Sequence, residues 1–171
     1  MICESFADCI EWKSCQLAKV DKSCMKVQKN TAYCGQHHRD YYLELPKDIQ
    51  ALKYGVDGHV VRGNSQVKCD NLVLTDAYNN VKRAVFVELK GTDVHHAYEQ
   101  IIMTISLFKE ILTKKQYRCY ARIIYSGGTQ AYSNNDKEKL NNMLRRINGG
   151  CKGSFVKLGS RKLDEKLVEL V

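Results

Sequence analysis

Residues 83–90 (RAVFVELK) constrain the fold more than any other part of the chain. They are apolar on both faces until Glu88, as a central buried strand should be. Gly91 ends the strand, and Thr92 or Asp93 can cap a helix. Val94, Ala97, Tyr98, Ile101, Ile105, Phe108 and Leu112 then recur at three- and four-residue steps, forming one face of a long amphipathic helix. A covered strand running straight into such a helix calls for an α/β layer structure. With 44% hydrophobic residues in 171, a core large enough to cover it is available.

The remaining elements are read around this unit. Residues 47–54 (KDIQALKY) look like a short helix after Pro46, closed by Gly55. Residues 56–61 read as a strand, with Gly63-Asn64 as turn chemistry, and residues 67–75 as a second strand. Tyr78-Asn79-Asn80 reads as the hairpin turn into residues 83–90. Residues 117–125 (YRCYARIIY) form a further strand, and Leu140, Met143, Leu144 and Ile147 mark another helix stopped by Gly149. Residues 154–158 suggest a last strand, and 163–171 a terminal helix or strand. The expected order is helix, three-strand antiparallel meander, helix, strand, helix, then a tail. The natural division falls near residue 40, between a Cys/His-rich segment (1–40) and one α/β unit (41–171).

No apolar stretch approaches the roughly 20 residues that cross a bilayer. Glu4, Asp8 and Glu11 stand where a signal peptide needs an apolar run, so the expected location is the cytoplasm. The formal charge of +8 suits a polyanionic partner, most often nucleic acid. The clustered cations are Lys109, Lys114, Lys115, Arg118 and Arg122, and then Arg145, Arg146, Lys152, Lys157, Arg161 and Lys162. The plain alternative is a solvated surface.

Two carboxylates and a lysine carry the chemistry. Glu88 and Lys90 share a side of their strand, and a hairpin brings Asp70 alongside. Charges at the end of an apolar strand are costly to bury unless a cation offsets them. Two carboxylates meeting there suit magnesium or manganese. An isolated E-x-K is most often a strand end reaching solvent or a buried ion pair. This one has an Asp on the preceding strand and a long helix behind it, with Gln100 about two turns in.

In these segments, KCDNLVL (68–74), VFVELKG (85–91) and AYEQI (97–101), the chain resembles the PD-(D/E)XK nuclease superfamily, in its RecB-like or Holliday-junction-resolvase-like branch. The resemblance covers roughly residues 45 to 130 and implies a restriction-endonuclease-like core. It implies a metal-dependent nuclease in which Asp70, Glu88 and the backbone carbonyl of Leu89 bind Mg2+ or Mn2+. Lys90 positions the attacking water, and Gln100 supports the site. Cys69 stands where the family's namesake proline would be. Many members carry a further acid on the first core helix, for which Glu44 is the candidate and Glu11 a weaker one. The expected substrate is DNA more than RNA, held by Lys109, Lys114, Lys115, Arg118, Arg145 and Arg146 through its backbone. A homodimer is common in this fold when both strands are cut. The rival readings are an inactive nucleic-acid-binding module and a zinc-stabilised protein-interaction domain.

Five of the eight cysteines (Cys3, Cys9, Cys15, Cys24 and Cys34) lie in the first fifth of the chain, just before His37 and His38. Cys15, Cys24 and Cys34 with His37 or His38 form a candidate structural zinc set. Separate buried or free thiols are the alternative, and an iron–sulfur cluster a weaker one. His95 and His96 either touch phosphate from the start of the helix or simply expose a polar helix end.

Overall fold

A computed structural model describes residues 25–61, 67–127 and 134–171. The described residues form a mixed α/β structure with two helices and nine strands in two sheets. Strands β1 (Met25–Lys29), β2 (Thr31–Gln36), β3 (Arg39–Glu44) and β4 (Gln50–Gly55) come first. They are followed by β5 (Asn71–Thr75), β6 (Lys82–Lys90), α1 (Val94–Lys114), β7 (Tyr117–Tyr125), α2 (Asn134–Ile147), β8 (Val156–Ser160) and β9 (Lys162–Lys166). The larger sheet has the order β1-β4-β5-β6-β7-β8, and the smaller one β2-β3-β9. Strands β4, β5 and β6 form an antiparallel meander. The chain then crosses through α1 to β7, which pairs parallel to β6.

Strand β6 is central because it is apolar on both faces, and every residue from Arg83 to Leu89 is buried. Helix α1 covers one face. All seven apolar residues of its expected stripe are buried, joined by Thr104. Asp93 caps it, accepting a hydrogen bond from the His96 N–H at 3.0 Å. The smaller sheet packs on the other face, with β3 against β6 and β7. Tight turns set the hairpin registers. Asn79 and Asn80 both have positive φ between the bridged Tyr78 and Val81, as a type I′ turn requires. His37 and His38 do the same between the paired Gln36 and Arg39.

Several expectations are corrected. Residues 47–54 contain β4 rather than a helix, because Ala51, Leu52 and Tyr54 are buried in a strand paired on both sides. Residues 56–61 are a turn closed by an Asp57–Val61 bridge, so β4 takes their place as the first strand of the meander. The strand expected over 67–75 starts only at Asn71. The tail holds β9 and a short 3-10 turn over Leu167–Glu169. The division near residue 40 falls inside the β2–β3 hairpin, since Gly35 pairs with Asp40 and Cys34 with Tyr41.

The two sheets share a buried ion pair. Arg122 of β7 pairs with Glu165 of β9, and both are almost fully buried. Glu165 also accepts from Tyr41 Oη at 3.2 Å and pairs with Lys157 at 3.2 Å. Arg122 is therefore part of the interior and not of a basic surface. Burial raises the Glu165 pKa, but Arg122 and then Lys157 outweigh it, so the net shift is downward. The sign follows: this stabilisation is present above the ordinary carboxylate range and is lost as pH falls through the depressed folded value. Replacing Glu165 with Ala leaves a buried guanidinium unpaired. The expected loss is about 3–5 kcal/mol of unfolding free energy in a denaturant titration at neutral pH.

Candidate functional site

The C-terminal end of β6 and the start of β5 bring Asp70, Glu88, Lys90 and Gln100 together. Asn71 pairs with Val87, so Asp70 stands opposite Glu88 one step further on. The Asp70 N–H donates to Glu88 Oε2 at 3.0 Å, and the Leu89 N–H donates to Asp70 Oδ2 at 2.8 Å. The two carboxylates thus lock each other's backbone. Lys90 Nζ donates to Gln100 Oε1 at 2.9 Å, and Gln100 Nε2 donates to the Lys68 carbonyl at 2.8 Å. One α1 side chain therefore holds both the lysine and the segment entering Asp70. Thr104, one turn on, adds a second tie: its Oγ1 accepts from the Cys69 N–H at 2.8 Å. Cys69, at the position before Asp70, is fully buried.

The carboxylates are electrically strained. Glu88 is 2% exposed. Burial, reinforced by the Asp70 charge, pushes its pKa up to about 8 against the pull of Lys90. Burial also raises Asp70, opposed by the Leu89 N–H and by the charges of Lys90 and Arg39. Asp57, in the turn after β4, adds repulsion to both carboxylates and is itself paired with Lys68 at 2.9 Å. A buried and a half-buried carboxylate whose charged forms are only partly compensated have the chemistry that suits a divalent cation, which commonly takes one or two carboxylates and keeps several waters. Among the described residues, no three His, Cys, Asp or Glu side chains form a metal cluster.

This electrostatics predicts a pH dependence for the metal-free protein. A carboxyl whose folded pKa is raised contributes stability below its ordinary value of 4.5, lost as pH rises through about 8. Measured in EDTA, Glu88→Gln should gain thermal stability relative to wild type as pH rises across that window. Added Mn2+ should close the gap by stabilising wild type. A difference that does not change with pH would contradict the assignment of the strain to Glu88.

Other expected site residues lie elsewhere. Glu44 ends β3, is exposed and faces Lys166 at 3.8 Å. It sits roughly 17 Å along the strand from Arg39, at about 3.3 Å per residue. The basic set is also displaced. Lys114 lies about 20 Å along α1 from Gln100, at 1.5 Å per residue. Arg118 is in register with Arg83, at the opposite end of β6 from Lys90. Arg145 and Arg146 are exposed in the last turn of α2, and Arg146 lines a groove with Lys109 and Lys139. These cations surround the far end of the helices and not the carboxylates. His95 is bonded to Asp136 at 2.8 Å and His96 to Glu99 at 3.1 Å, so both rings face acids.

A cation outside the expected set, Arg39 of the smaller sheet, acts on the Asp70 carboxylate. Arg39 Nη1 donates to Ser126 Oγ at 3.2 Å, and the Ser126 N–H is shared by the Lys90 and Gly91 carbonyls. The Arg161 N–H donates to the carbonyl of Tyr125, which is in register with Lys90. Sequence reasoning missed Arg39, Asp57 and Thr104. Asp57-Gly58 was visible as a turn signal; nothing local marks the other two.

For the zinc set, Cys15 and Cys24 lie outside the described residues, as do Cys3 and Cys9. Cys34 is fully buried on β2, and burial pushes its thiol up to about 12, while His37 and His38 are exposed at the hairpin turn. No helix of the described residues is long and apolar enough to cross a membrane. Comparison with protein-family models, curated proteins and solved structures finds no match to the chain.

Proposed function

We propose that the protein is a divalent-metal-dependent nuclease that hydrolyses phosphodiester bonds, in DNA more than in RNA, on a restriction-endonuclease-like core. The observation that carries this reading is the pairing of Asp70 with Glu88 across adjacent strand ends, beside a lysine whose amine is held by Gln100. The meander, the α1 crossover and the parallel β7 support it, being the order expected of such a core.

Asp70 and Glu88 would hold Mg2+ or Mn2+, whose chemistry is to offset charge at the phosphorus and make water acidic. Glu88 is buried and Asp70 half-buried, so the carboxylates act in a setting less screened than bulk water. Lys90 is fixed by Gln100, which leaves its remaining ammonium protons free to orient a water or meet a phosphate oxygen. Gln100 keeps that amine and Asp70 in one frame through the Lys68 carbonyl.

The test is cleavage of duplex, single-stranded and branched DNA and of RNA, in Mg2+, Mn2+ and EDTA. Cutting that requires the cation is the expected result. If none of the substrates is cut, the nuclease reading fails and the inactive binding module takes its place.

A further inference from the structure

We infer that Arg39 is a substrate-binding residue of this site, and that its guanidinium takes a phosphate oxygen of the bound nucleic acid. The inference rests on the nuclease reading and adds to it a residue outside the segments that carry the resemblance.

Arg39 opens β3, next to the two-residue turn at His37 and His38. A Cβ at Gly91 would sit 3.7 Å from Arg39 Nη1. The guanidinium therefore lies within van der Waals reach of the residue that follows Lys90. Its Nη1 bonds Ser126 Oγ, the side chain of the residue whose N–H closes the end of β6. Among the described residues this is the only hydrogen bond of the Arg39 side chain, and Nε is buried without one.

A half-buried guanidinium with unused donors is costly unless something completes it. Asp70 is near enough for Arg39 to act on its charge, yet the two form no direct ion pair. Arginine presents a planar fork that matches phosphate geometry. The two carboxylates repel a phosphate, so a fixed cation beside them offsets that repulsion where the backbone must approach.

The test compares Arg39→Met and Arg39→Lys with wild type. Duplex binding is read by fluorescence anisotropy in a Glu88→Gln background, so that nothing is cut. Mn2+ affinity and thermal unfolding are read without DNA in the otherwise wild-type chain. Arg39→Met should weaken duplex binding roughly 10- to 100-fold, as expected for a lost charged hydrogen bond. It should leave Mn2+ affinity unchanged or tighter, because a cation near Asp70 is removed. Arg39→Lys should recover part of the binding. Unaltered duplex binding in Arg39→Met would overturn the inference. So would parallel losses of Mn2+ affinity and thermal stability in both variants, which would mark Arg39 as a strut between the sheets. Failure of wild type to cut any substrate would instead count against the nuclease reading, while the anisotropy comparison still decides Arg39.

Discussion

Glu88→Gln and Asp70→Asn should each lower cleavage by about two orders of magnitude or more, the scale seen when a charged group at a reacting centre is removed. Glu88 sits buried at the end of a strand covered on both faces. The amide retains the shape and can still accept from the Asp70 N–H, so the fold should survive. What disappears is one of two negative charges that would hold the cation. Duplex binding should change far less. Cleavage and anisotropy measured on the same preparations check both statements. A Glu88→Gln protein that cuts as well as wild type would contradict the site.

Lys90→Ala should also cost roughly 100-fold or more in cleavage, within the range for a positioned proton-transfer or charge-stabilising group. Unlike the carboxylate variants, it should leave Mn2+ affinity largely intact, because an ammonium is not a metal ligand. Its amine is half-buried and tied to Gln100, so truncation leaves the Gln100 carbonyl oxygen without that donor. Gln100 still holds the Lys68 carbonyl through Nε2, which should limit the structural damage. Gln100→Ala is expected to have a smaller effect on cleavage, since it acts through Lys90. Mn2+ titration beside single-turnover cleavage separates the roles; equal losses in both for Lys90→Ala would contradict them.

The parts of this arrangement that were legible in sequence are those encoded locally. The β6 run and the α1 stripe follow from apolar spacing alone, and they bring Glu88, Lys90 and Gln100 within reach of one another. The Asn79-Asn80 turn is equally local. Residues 47–54 misled because Pro46 followed by Ile, Gln, Ala, Leu and Lys matches a helix start, whereas pairing with β1 and β5 decides the outcome. The β2–β3 hairpin was hidden for a related reason. Its buried positions Ala32 and Cys34 are weak strand markers, and its turn is built from two histidines in place of the usual Asn or Gly. With the hairpin unseen, Arg39 had no reason to be near Gly91. The cationic residues were grouped by sequence proximity, but β7 and α1 carry Arg118 and Lys114 to the other end of the molecule from Lys90. Arg122 is buried because its alternate position on β7 faces the smaller sheet.

The nuclease reading requires that Asp70 and Glu88 share a divalent cation. It is tested most directly by an anomalous difference map from a crystal soaked in Mn2+. A peak is expected between the Asp70 and Glu88 carboxylates, absent from a Glu88→Gln crystal soaked in the same way. A map with no peak between the two carboxylates, from a crystal whose protein cuts DNA in Mn2+ solution, would contradict it.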